Sequence, residues 1–198
     1  AHQSRPWPHH APEGRRRVET LRPGDLVTTA DDGTAPLVWV GDRQLTGARL
    51  HAMPDLRPIR IRSWAFGMGA PDRDLVVSPR HRMMIRGHQA RSLFNEDEVL
   101  VEARDLVNGT SVRIEPITAK VSYHHLMLAR HQIIFANGLP TESFHPASAN
   151  FEMIPEPQRE ALFALQPELE YDPFAYGAFA RRPLKSPEAV ILRHTIAA

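Results

Sequence analysis

Apolar residues come in short runs along this chain, and each run is closed by residues that favour turns. Leu26 to Thr29 gives way to Asp31-Asp32-Gly33, Leu37 to Val40 to Gly41-Asp42, and Ile59 to Trp64 to the stretch from Gly67 to Pro71. Further runs follow at Leu75 to Val77, Met83 to Ile85, Val99 to Val101, Val112 to Ile114, Ser122 to Leu128 and Gln132 to Phe135. Runs this short, set this closely between turn signals, predict an all-β domain with few helices before residue 150. In the last of them Ile133, Ile134 and Phe135 lead into Ala136-Asn137-Gly138, and Leu139 resumes an extended segment. An Asn-Gly pair accepts the positive φ angles of a tight turn, so 131–144 reads as a hairpin bracketed by His131 and by Glu142-Ser143.

Two segments read alike. Val18-Glu19 followed by Leu21, Gly24 and Val27 matches Val101-Glu102 followed by Leu106, Gly109 and Val112. The shared Leu-x-x-Gly-x-x-Val kernel predicts two related halves, each copy a turn feeding a strand. Residues 1–17, with Pro6, Pro8, Pro12, His9-His10 and Arg15-Arg16-Arg17, lack apolar periodicity and read as a linker or an atypical first strand. The β-domain is expected over 18–146. In 147–198 prolines punctuate the chain, and from Gln158 onward Leu162, Leu165 and Leu169 recur at helical spacing. One short amphipathic helix is predicted there, and a second opened by Ser186 as N-cap with Pro187 at its first position. Tyr171, Phe174, Tyr176 and Phe179 are expected to pack this helical extension onto the β-domain, as an appendage and not a second core.

Composition narrows the function classes. With 198 residues, 42% of them hydrophobic, the chain can bury a real core. Its 24 basic and 23 acidic residues leave a net charge of +1, so no uniform field favours nucleic acid or an anionic membrane. No apolar run suffices to span a bilayer, and Ala1 to Pro8 lacks the apolar stretch of a signal peptide; neither a membrane span nor an export address is expected. There is no cysteine, which excludes disulfides, thiolate metal sites and thiol catalysis in the chain as it stands. His9-His10 and His124-His125 are adjacent pairs, and neighbours on a strand point to opposite faces, so neither pair chelates one ion. Residue type alone permits a zinc site from His81, His125 and His131. Solvated or hydrogen-bonded histidines are the expectation, with no metal and no cofactor.

The stretch "LVVSPRHRMMI", residues 75–85, sets Ser78 and His81 three apart between two apolar strands. Alone it reads as a Ser-Pro turn with an exposed histidine. "YHHLMLARHQIIFANG", residues 123–138, adds His124, His125 and His131 on strands that end in the Asn-Gly turn. Together these segments resemble the Hint superfamily, the self-processing domain of hedgehog proteins, inteins and many bacterial secreted proteins. "VETLRPGDLV" is similar to the family's early strand-turn-strand and "SPRHRMMI" to its Thr/Ser-x-x-His block. "VEARDLVNG" is similar to its Ala-x-x-Leu-x-x-Gly element and "HQIIFANGLPTESF" to its closing hairpin. The resemblance runs from Val18 to Phe144 and is closest to bacterial Hint domains with a Pro-rich helical tail. It implies a flattened all-β fold with pseudo-twofold related halves.

The resemblance also implies chemistry on the chain's own backbone. In the family a first-position Cys attacks the carbonyl carbon of the preceding residue, converting a peptide bond to a thioester through a tetrahedral intermediate. Carried over, His81 hydrogen-bonds the scissile amide and protonates the leaving amine, while Ser78 holds the distorted peptide and orients that histidine. His125 stands where many inteins carry an Asp that tunes the nucleophile, and a histidine there could act as base. His131 takes an orienting or structural role. Counting back from Pro12-Glu13-Gly14, Ala1 marks the position of the expected nucleophile, and Ser4 lies several residues off. Splicing members end their hairpin with His-Asn and a nucleophile; Glu142, Ser143 and Phe144 stand there instead, so only N-terminal cleavage remains.

Ala1 has three explanations: an engineered replacement, a natural loss of the nucleophile, or a cut chain. The atypical first strand favours natural divergence. Two functions therefore stand side by side. One is an autoprocessing domain, inactive without the Cys, with a covalently attached N-terminal passenger segment and a small nucleophile (water, amine or alcohol) as partners. The other is a catalytically dead Hint scaffold that binds or supports a secreted passenger domain. A peptidase acting on other chains finds no separate Ser-His-Asp constellation. A monomer is expected, and localisation stays open, an exported bacterial protein among the settings. For residues 145–198, an acceptor-handling role like that of the sterol-recognising extension of hedgehog proteins and simple packing both remain.

Overall fold

Both copies of the Leu-x-x-Gly-x-x-Val kernel build the same local structure. A 3-10 turn, Val18–Thr20 in one and Ala103–Leu106 in the other, brings a leucine into the core, Leu21 or Leu106. A glycine at positive φ, Gly24 at 94° or Gly109 at 78°, then redirects the chain into a strand. Any side chain is strained at those angles, which is why glycine recurs there. The computed structural model that gives this view describes residues 14–67, 69–116 and 119–196; Ala1 lies outside the described residues.

The elements in chain order are β1 (Leu26–Thr28), β2 (Thr34–Pro36), β3 (Trp39–Thr46), the short helix α1 (Gly47–Ala52), β4 (Ile59–Ile61) and β5 (Leu75–Val77). Then come β6 (Arg82–Arg86), the short helix α2 (His88–Phe94), β7 (Glu98–Glu102), β8 (Val112–Ile114), β9 (Lys120–Met127), β10 (Ile133–Ala136) and β11 (Leu139–Glu142). The C-terminal part holds α3 (Glu156–Leu165), β12 (Arg182–Pro183) and α4 (Ser186–Ile196). β1 pairs with β2, β4 lies between β5 and β8, and β3 and β9 form a long antiparallel ribbon with Gly41 opposite His125. The largest sheet runs β10-β11-β6-β7-β12, and its last strand is parallel to β7, with Arg182 beside Val99 and Pro183 beside Leu100. Asn137 at φ 49° and Gly138 at φ 76° make the tight turn between β10 and β11, as the Asn-Gly pair predicts.

Four elements depart from the apolar pattern. The strand expected from Leu37 begins at Trp39 and runs on through Gly41-Asp42-Arg43-Gln44, because β9 supplies a continuous hydrogen-bonding partner that side-chain polarity does not reveal. The run Ile59 to Trp64 stops as a strand at Ile61; Trp64 sits in a turn at φ 65° and is 67% exposed. Two short helices interrupt the β-domain, α1 capped by Thr46, whose hydroxyl accepts from the Arg49 N–H at 3.3 Å, and α2 ended by Asn95 in the left-handed region.

The extension after Pro146 is packed into two cores. Leu162, Leu169 and Tyr176 are buried with Trp39 and Met127, whereas Leu184, Ala189 and Leu192 join Met83, Val99, Val101 and Leu139. Leu165, on the same helical repeat, is 52% exposed, because Pro167 ends α3 and rotates Leu169 inward through a 3-10 turn. Of the four aromatic residues there, Tyr176 is buried and Phe179 stacks on His145, while Tyr171 and Phe174 face solvent. At the other end Arg15 pairs with Asp72 and Arg16 with Asp25 at 2.8 Å, and the Asp72 N–H donates to the Asn137 carbonyl at 2.9 Å. The N-terminal chain thus enters beside the hairpin tip. No helix among the described residues is long and apolar enough to cross a membrane.

Candidate functional site

Ser78 and His81 lie in the loop between β5 and β6, where the sequence places them. The His81 N–H donates to the Ser78 carbonyl at 3.1 Å, and the His81 carbonyl accepts from the Ala103 N–H at 2.9 Å. A second tie, from the Arg104 N–H to the Pro79 carbonyl at 3.0 Å, fixes the loop against the start of the Ala103–Leu106 turn. His81 keeps some solvent contact but is ringed by protein. Burial pushes its imidazole below the ordinary histidine range; Arg82 and His131 push the same way, and the Glu142 carboxylate opposes them.

His125 reaches the same region from β9. The partner opposite it is Gly41, and the Trp39 indole lies directly over Gly41: a Cβ there would meet the ring at 2.2 Å. Phe144 bridges the two, 5.0 Å from the His125 ring and 5.2 Å from Trp39. Burial lowers His125 to a pKa of about 4, His81, Arg43 and His124 add to the shift, and Asp42 counters it. Both imidazoles are therefore neutral at pH 7, each able to offer one N–H and one lone pair.

The end of the hairpin is buried where a polar sequence suggests exposure. All four residues of β11 are buried because β10 and β6 flank it and the extension covers it. The Glu142 carboxylate accepts from the Arg82 backbone N–H at 3.1 Å and pairs with the Arg82 guanidinium at 3.2 Å. Burial pushes its pKa up, but nearby His131 first, and then the charge of Arg82 and the His81 ring, hold it below the usual carboxylate range. Arg82 also donates to the Ser148 hydroxyl at 2.7 Å. Ser143 is tied to Gln132 twice: its hydroxyl accepts from the Gln132 N–H at 3.0 Å and its own N–H donates to the Gln132 carbonyl at 2.8 Å. It therefore closes the hairpin structurally.

His131 is buried beside this carboxylate. Its Nδ1 accepts from the Ala180 N–H at 2.9 Å, so the neutral ring carries its proton on Nε2, which lies 3.4 Å from Glu142 Oε2. That separation is within ion-pair range but does not amount to a formed hydrogen bond. His145 is fixed in the same tautomer: Nδ1 accepts from the Ala147 N–H, and Nε2–H donates to the Gly177 carbonyl, each at 3.1 Å. Burial lowers its pKa to about 4, and its ring stacks on Phe179 at 3.9 Å. Arg82 and His145 are the members that sequence reasoning missed, and Glu142 was read there only as a hairpin residue that excludes splicing. Arg82 directly follows His81 and His145 directly follows Phe144, so adjacency to the chosen motifs was the available signal. Among the described residues no three His, Asp or Glu side chains form a metal-binding group.

These features define an all-β domain closed by a hairpin and built around a histidine-bearing loop. The model of the Hint domain family matches residues 10–148, more than half of the chain, and the chain belongs to that family, whose domains are of the autoprocessing type. Searches of curated proteins and of solved structures find no match.

Proposed function

We propose that this chain is a Hint-type self-processing domain that activates the peptide bond at its own N-terminal end and cleaves it without splicing, and that Ala1 marks the place of the missing nucleophile. The observation that carries this reading is the approach of the Ser78–His81 loop and of His125 on β9 to one another in a chain of this family, close enough for His81 to depress His125. With a thiol at position 1, the sulfur attacks the carbonyl carbon of the preceding residue. A thiol proton passes to a neutral imidazole, for which His125 is the candidate. His81 takes that proton over and, as the imidazolium, delivers it to the departing amide nitrogen as the C–N bond breaks, so that both histidines end neutral and a thioester remains for water, an amine or an alcohol to open. Ser78 orients the loop and His131 the hairpin. The partners are a covalently attached passenger and that small nucleophile, and the domain acts as a monomer.

The absence of cysteine favours a second reading, a Hint scaffold that supports a passenger domain without chemistry. One experiment separates the two. The chain is fused behind a passenger with Ala1→Cys, incubated with thiol or hydroxylamine, and followed by mass spectrometry beside the same fusion carrying His81→Ala. Cleavage that His81→Ala slows by about 100-fold or more supports processing, the range of a lost general acid. No cleavage under either condition leaves the scaffold reading.

A further inference from the structure

Glu142 ends β11 with its carboxylate turned into the protein, 6% exposed, and groups from several elements face it. From β6 come the Arg82 N–H at 3.1 Å and the Arg82 guanidinium at 3.2 Å; from the segment ahead of β10 comes His131 Nε2 at 3.4 Å. His81 and His145 both feel the carboxylate, which favours their protonated forms. Arg82 is in turn held by the Ser148 hydroxyl and by Glu102 on β7 at 3.4 Å, with the Phe179 ring 5.4 Å from its guanidinium carbon. Glu102 also pairs with Arg104 at 2.7 Å.

The Arg82 N–H belongs to the peptide group that joins His81 to Arg82. Its carbonyl end is held by the Ala103 N–H at 2.9 Å and its N–H end by Glu142 at 3.1 Å. With the His81 N–H bonded to Ser78, the backbone of His81 is fixed on both sides. Glu142 stays charged in this buried place through Arg82 and through His131, whose Nε2–H points its way because Ala180 occupies Nδ1.

We propose that Glu142 is a positioning residue for His81: it clamps the His81–Arg82 peptide opposite Ala103, places a fixed negative charge beside the imidazole, and is oriented through His131 by the Ala180 amide of the C-terminal extension. The clamp is a property of the folded chain, and only its catalytic consequence rests on the self-processing reading. Imidazole and backbone amide NMR spectra of the full chain, recorded from pH 8 down to about pH 2 so that a carboxyl held below the ordinary range is covered, read the clamp without any cleavage. In the unsubstituted chain the Arg82 amide proton titrates together with the Glu142 carboxyl, and His131 shows the Nε2–H tautomer. In Glu142→Gln the His81 midpoint falls by about 1 pH unit, the size expected on removing a close opposite charge. Glu142→Asp, which keeps the charge on a shorter stem, restores most of that fall.

An Arg82 amide indifferent to Glu142 ionisation, or a His81 titration equal in the parent chain and Glu142→Gln, overturns the proposal. If Glu142→Gln does not fold, the parent chain and Glu142→Asp decide it. In the Ala1→Cys fusion the acidic limb of the cleavage profile moves down with the His81 midpoint, and an unmoved limb overturns the positioning role. A fusion that never cleaves overturns the processing reading alone, since the spectra still decide the clamp.

Discussion

Gly41→Ala sets a methyl group where the Trp39 indole lies. A Cβ on Gly41 meets the ring at 2.2, 2.6 and 3.0 Å, well inside the roughly 3.5–4.0 Å at which carbon atoms pack. The indole has little room to yield: Trp39 is 4% exposed, its Nε1 donates to the Gln158 carbonyl at 3.0 Å, and Phe144 packs against it. Overpacking of this kind costs about 1–3 kcal/mol, and loss of the indole hydrogen bond about 1 kcal/mol more. Alanine returns at most about 1 kcal/mol by restricting the unfolded chain. The expected net destabilisation is therefore about 1–3 kcal/mol, a fall in Tm of about 2–4 °C per kcal/mol for a chain of this size. Urea unfolding followed by tryptophan fluorescence and circular dichroism measures it, with a lower midpoint and an unchanged m-value. Because Phe144 links Trp39 to His125, the His125 ring resonances shift as well. A stability within about 0.5 kcal/mol of the parent chain refutes the steric argument.

Acidification destabilises the fold well above the carboxylate range. His125 and His145 have folded pKa values of about 4 against an ordinary 6.5, so the unfolded chain takes up protons first, and the stability they contribute is full above pH 6.5 and lost progressively towards pH 4. Each adds a slope approaching about 1.4 kcal/mol per pH unit in that window; urea unfolding at pH 7, 6 and 5 measures it, and His145→Gln removes one histidine's share. Leu192→Ala, at a fully buried position of α4, costs about 2–5 kcal/mol in one cooperative transition, whereas Leu165→Ala, half exposed, costs under about 0.5 kcal/mol by the same assay. Gly138→Ala costs about 1–2 kcal/mol from its φ of 76° alone, since its nearest neighbour, an Asp72 carboxylate oxygen, is 3.8 Å from the added Cβ.

The hairpin and the repeated kernel were legible because their signals are local: Asn-Gly for one, a leucine and a positive-φ glycine at fixed spacing for the other. The central strands β6 and β7 were equally legible, since strands covered on both faces read as continuous apolar runs. The burial of β11 was not, because Leu139-Pro140-Thr141-Glu142 has no apolar signature and is covered by neighbours distant in sequence. The same holds for the site. Ser78 and His81 fall in one loop, and His125 meets them through the β3–β9 ribbon. The role of His131 could be narrowed only once Ala180, 49 residues on, was seen at its Nδ1.

That separation has a consequence for timing during synthesis. A chain made from its N-terminus presents His81, His125, His131 and Glu142 long before it presents Ala180, and β12 and the buried face of α4 follow later still. Until then the sheet edge at β7 is unpaired and the proton of His131 is free to sit on either nitrogen. The last part of the clamp we propose on His81, the Ala180 amide at His131, is therefore placed only once the fold around it is complete.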